Sequence, residues 1–385
     1  MTEPFRNPEP APQWGAFALV CLAYLAVTVG EQTLSPVFPS TSDALGLSEA
    51  KGGVAFGVLA LSIAAFNLVG GRLLRAVGPT RAIKVAAAVT AVGSVAAASS
   101  PGFTTLVGAQ ILLGAGAGLF FPAGLQSVAI LAGPGRKGLA MGIYGVAFSG
   151  GLTIAALLGS LGAASGWRWS FWAAAVLAAG AVVASGAIQM PPARILGPPS
   201  KVVWRDVAGL PTVVGSVGAV CQYGAIPFLT TFAVATWGMT AGGAAAMLAV
   251  GRVVSIGAKM LAGAGADRAG ARASARVTGI LLAITGLGWV LLPGSWLTYA
   301  LAAIFSGTVS SIFPVANLLA IERFGQNGSA IGAYRSAQIG IGAATGVVIG
   351  VAGEMIGLRP MLAIACVSPI SLLWICREPQ TVEAR

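Results

Sequence analysis

The sequence predicts an all-α membrane protein whose twelve transmembrane helices fall into two halves. Three observations carry that expectation. Of 385 residues, 56% are hydrophobic and only 9% are charged, with a mean hydropathy of +0.87. Soluble domains carry about a quarter charged residues, so the solvent here is lipid. A bilayer core takes about 20 apolar residues per helix, and twelve such runs follow one another, at about 14–37, 52–71, 82–99, 103–131, 138–163, 169–190, 208–236, 241–264, 275–293, 296–321, 329–355 and 360–377. The chain also repeats itself at a period of about 190 residues, half its length.

Each element has its own signals. Pro79, Gly133-Pro134-Gly135, Pro293-Gly294 and Pro360 punctuate the runs. The first run is too long for a cleaved leader, and the segment before it sets Arg6 against Glu3 and Glu9, so it reads as a permanent helix. Residues 191–207, rich in proline and charge, read as a connector between halves 1–190 and 208–385. With the N-terminus inside, 16 of the 22 Lys and Arg fall on the cytoplasmic side and only Lys51, Arg168 and Arg359 outside. The positive-inside bias therefore predicts a multi-pass protein of the cell's plasma membrane, an inner membrane, with both termini cytoplasmic.

Composition excludes several functions. The net charge of +11 is spread over short loops and forms no single basic face, so nucleic acid is not an expected partner. The chain has no histidine, which removes the commonest general base and metal ligand. Cys21, Cys221, Cys366 and Cys376 lie in or beside apolar runs and read as packing residues. No carboxylate cluster has catalytic spacing, and Gly114-Ala115-Gly116-Ala117-Gly118 lies inside an apolar helix, where it cannot cradle a phosphate. The expectation is no enzyme, no cofactor and no metal.

The repeat can be read residue by residue. Leu45-Gly46-Leu47-Ser48 before helix 2 returns as Trp237-Gly238-Met239-Thr240 before helix 8, with Ser48 and Thr240 as N-caps. Phe121-Pro122 returns as Phe313-Pro314, and Tyr144 in helix 5 as Tyr334 in helix 11. The connection between helices 2 and 3 reads Gly71-Arg72-Leu73-Leu74-Arg75-Ala76-Val77-Gly78, and that between helices 8 and 9 reads Gly263-Ala264-Gly265-Ala266-Asp267-Arg268-Ala269-Gly270.

At these loops the chain resembles the major facilitator superfamily, whose signature is G-x-x-x-D-R-x-G; Gly166-Trp167-Arg168-Trp169 is similar to that family too. The resemblance covers the whole chain. It implies two pseudo-symmetric six-helix bundles around a central cavity, a monomer, and gating by Gly71, Gly78, Gly263, Gly270, Asp267 and Arg268. Arg75 stands where the family has Asp in the first loop, so the expected gate contact is one-sided, from Asp267 and Arg268 to the start of helix 5. Gln110 replaces the helix 4 Arg of many proton-driven members, and helix 5 lacks the Gly-Pro pair of drug/proton antiporters.

Ionisable groups inside a bilayer usually serve a purpose. Four occur: Glu31 in helix 1, Arg252 and Lys259 in helix 8, and Arg335 in helix 11. Arg252 is central. Lys259 lies close enough to the cytoplasmic end to snorkel out, and Arg335 is either a cavity residue or a snorkelling one. Glu31 is the proton-carrier candidate or an ion-pair partner. Burial favours its neutral form and a nearby guanidinium its ionised form, so its state would follow occupancy of the cations. Tyr24, seven residues before Glu31, shares its helix face, and Gln338 follows Arg335 by three. Gln126, Tyr144, Tyr223 and Asn317 lie in helices that line the cavity in the family; each can equally be a helix–helix hydrogen bond. The expected function is a secondary active transporter of a small organic anion, as in the family's oxalate/formate and monocarboxylate carriers, bound by Arg252 and Arg335. The alternative is proton-coupled efflux of lipophilic drugs.

Overall fold

The computed structural model describes residues 13–131, 137–190, 207–324 and 328–377. Among them there is no strand, and twelve helices are long and apolar enough to span a membrane. Helix 1 is Trp14–Leu45, helix 2 Glu49–Val77, helix 3 Pro79–Ala98, helix 4 Phe103–Leu131, helix 5 Lys137–Ser165 and helix 6 Arg168–Ser185. Helix 7 is Leu210–Trp237, helix 8 Ala241–Ala269, helix 9 Ala271–Leu291, helix 10 Trp296–Phe324, helix 11 Gly328–Ile356 and helix 12 Leu358–Ile375. The connector expected at 191–207 lies outside the described residues apart from Val207, which opens onto helix 7.

The expected N-caps form. Ser48 Oγ accepts from Lys51 N at 3.4 Å, and Thr240 Oγ1 from Gly243 N at 3.1 Å. The two signature stretches, expected to be loops, are instead helical. Residues 71–77 are the last turns of helix 2, and 263–269 the last turns of helix 8. Nothing in either stretch breaks a helix until Gly78 and Gly270, which stop it by taking φ of 79° and 86°, where a side chain would be strained. Gly71 and Gly263 face open space.

Two helices are broken at equivalent places. Helix 1 is interrupted at Thr33, between Trp14–Gln32 and Leu34–Leu45. Pro36 lacks an N–H and crowds the carbonyl four residues back, at Gln32, so the ladder parts just beyond Glu31. Thr33 Oγ1 turns back to donate to Val29 O at 2.7 Å. In helix 7 a π-segment, Val220–Ala225, precedes Pro227, which is accommodated by the wider turn. Tyr223 lies in that segment. It is displaced from Glu31 by the same offset that relates Phe121 to Phe313.

The bundles meet along matched pairs: helix 2 packs on helix 11, helix 8 on helix 5, and the Leu34–Leu45 segment of helix 1 on helix 7. At the Ser48 end the junction is tight. Thr230 Oγ1 donates to Ser35 O at 2.8 Å, and Phe56 meets Phe228 edge-on at 5.6 Å. Towards the opposite, Gly78 end, Ser336 Oγ reaches Ala64 O at 3.3 Å. The outward faces carry exposed apolar side chains such as Val183, Leu261 and Met355, as a lipid-facing surface requires.

Candidate functional site

The break in helix 1 and the π-segment of helix 7 adjoin between the bundles, and each contributes one polar side chain there. Glu31 and Tyr223 line two small cavities, of about 30 and 20 Å³. The larger is walled also by Tyr24, Asn67, Phe121, Phe148 and Arg335, and Gln222 borders the smaller. Space of that size holds a water molecule or two.

Glu31 is buried, and its Oε1 accepts from Gln32 Nε2 at 2.7 Å. Arg252 and Arg335 both act on it electrostatically, one from helix 8 and one from helix 11. Arg252 is only 2% exposed, and its Nη1 has no hydrogen-bond partner. Such a group is expensive to bury unless something completes it. Arg335 is half-buried, with its guanidinium 5.2 Å from the ring of Phe121 in helix 4 and 5.4 Å from that of Phe313 in helix 10. The two rings offer their negative faces to the cation. Arg335 therefore does not snorkel; Nη1 donates weakly to Gln338 Oε1 at 3.5 Å, and Nε is unpartnered.

Lys259 departs from the snorkelling expectation. Its Nζ turns across the junction to donate to Ser149 Oγ in helix 5 at 2.7 Å, and lies 5.1 Å from the ring of Phe148. Ser255, one turn away in helix 8, is 3.4 Å from the same hydroxyl. The position near the helix end permits snorkelling, but a hydroxyl and a ring face on the neighbouring helix hold the ammonium inward.

An aromatic shelf completes the wall. Tyr24 stacks on Tyr144 at 4.2 Å, Phe120 at 5.2 Å and Phe148 at 5.5 Å. Tyr144 is buried beneath Tyr24 with its hydroxyl unpartnered.

Three polar residues singled out from the sequence are placed elsewhere. Gln338 is buried and donates from Nε2 to Gly215 O in helix 7 at 3.0 Å, a helix–helix tie. Asn317 is exposed and accepts from the Tyr334 hydroxyl at 3.3 Å. Gln126 is half-buried with Oε1 unpartnered and borders neither cavity. At the Gly78 end Arg268 is exposed, while the side chains of Arg75, Asp267 and the start of helix 5 lie outside the described residues. Sequence reasoning passed over Asn67, Phe148, Ser149 and Gln222. Phe121 carried a signal, since its pair with Phe313 is what seats Arg335.

Comparison with known proteins fits this geometry. A family model for the Major Facilitator Superfamily matches residues 20–347. Puromycin resistance protein pur8 of Streptomyces alboniger is 28% identical over 235 residues, covering 60% of this chain and 44% of that protein. The probable sulfoacetate transporter SauU of Cupriavidus necator is 26% identical over 154 residues, 40% of this chain and 36% of that one. The chain thus spans less than half the length of these curated relatives. Among solved structures, a mutant form of the nucleoside transporter NupG superposes with a TM-score of 0.77 at 12% identity, over 94% of this chain and 98% of that one. A D-xylose–proton symporter gives 0.77 at 15% identity over 95% and 97%, and the human organic anion transporter MFSD10 gives 0.69 at 17% over 96% and 100%. Likeness at such low identity speaks for the fold. With the family model spanning most of a chain whose described residues hold twelve membrane-spanning helices, the protein is a multi-pass membrane protein and belongs to the major facilitator superfamily.

Proposed function

We propose that the protein is a secondary active transporter of a small organic anion, working by alternating access. The observation that carries the reading is Arg252, a buried guanidinium with an unpartnered nitrogen whose charge, like that of Arg335, acts on a single carboxylate, Glu31. Two cations against one acid leave positive charge in a medium of low dielectric, where it is stabilised by an anion. Guanidinium groups bind carboxylates through paired hydrogen bonds. A relative named for sulfoacetate transport supports an anionic substrate.

In this reading the halves 1–190 and 208–385 rock about the helix 2–helix 11 and helix 5–helix 8 seams, as a monomer, exposing Arg252 to each side in turn. Tyr24 and Tyr223 position the substrate, and Glu31 couples its movement to a proton. Both termini face the cytoplasm of the plasma membrane, and Asp267 with Arg268 closes that side. Uptake of labelled carboxylates into proteoliposomes tests the reading. Arg252→Ala is expected to abolish saturable uptake, and carboxylate transport undiminished in that variant overturns it.

A second reading, proton-coupled efflux of lipophilic drugs, is favoured by the stacked shelf of Tyr24, Tyr144, Phe120 and Phe148, a surface suited to flat apolar molecules. The puromycin-resistance relative points the same way. A thermal-shift screen separates the two. Stabilisation by cationic drugs alone, retained in Arg252→Ala, selects efflux.

A further inference from the structure

Lys259 has no part in the reading above, and its surroundings give it one. The ammonium is held 2.7 Å from Ser149 Oγ and 5.1 Å from the Phe148 ring, and neither neighbour carries charge. Arg252 and Arg335 both act on it electrostatically. Arg252 and Lys259 are seven residues apart on helix 8, two turns along one face and about 10 Å in rise. Phe148 lines the same cavity as Glu31 and Arg335, so the ammonium lies against a wall of the site. Three cationic side chains of one bundle thus lie at the junction, and Glu31 is the acid that borders the cavity with Arg335.

Glu31 feels both guanidiniums, while the ammonium of Lys259 is met by uncharged partners alone. Like charges repel strongly where the dielectric is low, and a hydroxyl dipole with a ring face offsets only part of one ammonium. A single acidic group can engage the guanidiniums; a second is needed to reach the ammonium as well.

We infer that the substrate carries two negative charges, as a small dicarboxylate does, with one acidic group held by the guanidiniums of Arg252 and Arg335 and the other by the ammonium of Lys259. The inference rests on the organic-anion reading of the same site and narrows it. On binding, the second acidic group takes Lys259 from Ser149, so an interbundle hydrogen bond is exchanged for one to substrate. Lys259 is then a specificity residue.

The test is equilibrium binding to the purified full-length protein, comparing succinate with butyrate and malonate with propionate. The dicarboxylates are expected to bind about tenfold to a hundredfold more tightly than their single-charged partners, the worth of one hydrogen bond to a charged group. Lys259→Gln is expected to collapse that ratio to near one, and Lys259→Arg to preserve it; the Arg variant also reports whether the position tolerates change. Equal binding of both classes by the wild-type protein, or a ratio intact in Lys259→Gln, overturns the dianion while leaving the organic-anion reading in place. If neither class binds, both fall together.

Discussion

Glu354 in helix 11 accepts a hydrogen bond from Ser48, the N-cap of helix 2, at 3.3 Å across the two bundles. Next to it Gly53 lies directly against helix 11. A Cβ added there would come 2.8 Å from Gly346 O and 2.8 Å from Gly350 Cα, and backbone cannot yield as a side-chain tip can. Gly53→Val is therefore expected to wedge this end apart and abolish transport while leaving the protein folded. The check is accessibility of cysteines placed on helices 2 and 11 near Ser48: they should label from that side in the variant and stay protected in the parent.

The background for such labelling is favourable. Cys21, Cys221, Cys366 and Cys376 are all buried. Cys376, just beyond the last span, has its thiol pushed above the ordinary range by burial, an effect partly offset by Arg272 and Arg276. The unmodified protein is expected to react negligibly with maleimide at pH 7 in detergent, read by mass spectrometry.

Glu31 is the acid in the cavity, bordered by both broken helices. Glu31→Gln keeps the shape and its hydrogen bond to Gln32 while removing the charge. Uptake driven by a proton gradient is expected to vanish in this variant, with exchange of substrate for substrate retained. Vesicles loaded with substrate measure both, and undiminished proton-driven uptake removes Glu31 from coupling.

Pro227 is expected to maintain the π-segment that presents Tyr223. Pro227→Ala restores a donor and relieves the crowding at the Tyr223 carbonyl, so helix 7 can close to a regular α-helix. That would rotate Tyr223 off the cavity. Substrate affinity should fall by about tenfold, the worth of a hydrogen bond or two, while thermal stability stays the same or rises. A loss of both would mean that the proline serves folding instead.

Stability of the second bundle centres on Trp289, fully buried among Phe232 at 5.4 Å, Phe305 at 5.8 Å and Trp237 at 6.3 Å. Trp289→Ala leaves a cavity that those rings cannot fill and is expected to cost about 3–5 kcal/mol. Thermal unfolding in detergent reads the change, and binding by protein still folded should be unaffected.

What could be read from the sequence follows from what lipid permits. The twelve spans were visible because a lipid-facing helix must be apolar along its length, and Arg252 because mid-helix charge has no route to water. The ends were read less well. Residues 71–77 and 263–269 look like loops by composition, yet a helix continues into the interface until a glycine at positive φ stops it. The sequence leaves Lys259 open for a related reason: distance to a helix end says whether a side chain can snorkel, not whether a neighbour such as Ser149 holds it. Gln338 and Asn317 show the same limit, since polarity in a spanning helix does not tell a cavity lining from a tie to the next helix.

Arg335 stands nearly equidistant from Phe121 and Phe313, two rings that are copies of one another in the repeat. A group so placed is shared between the halves, one cation serving a ring from each. The mate of Arg335, counting from the Tyr144 and Tyr334 pair, is Gly145, which has no side chain and faces open space. The charge seated between the paired rings therefore comes from the second half alone, and the two halves differ in charge at the place where they meet.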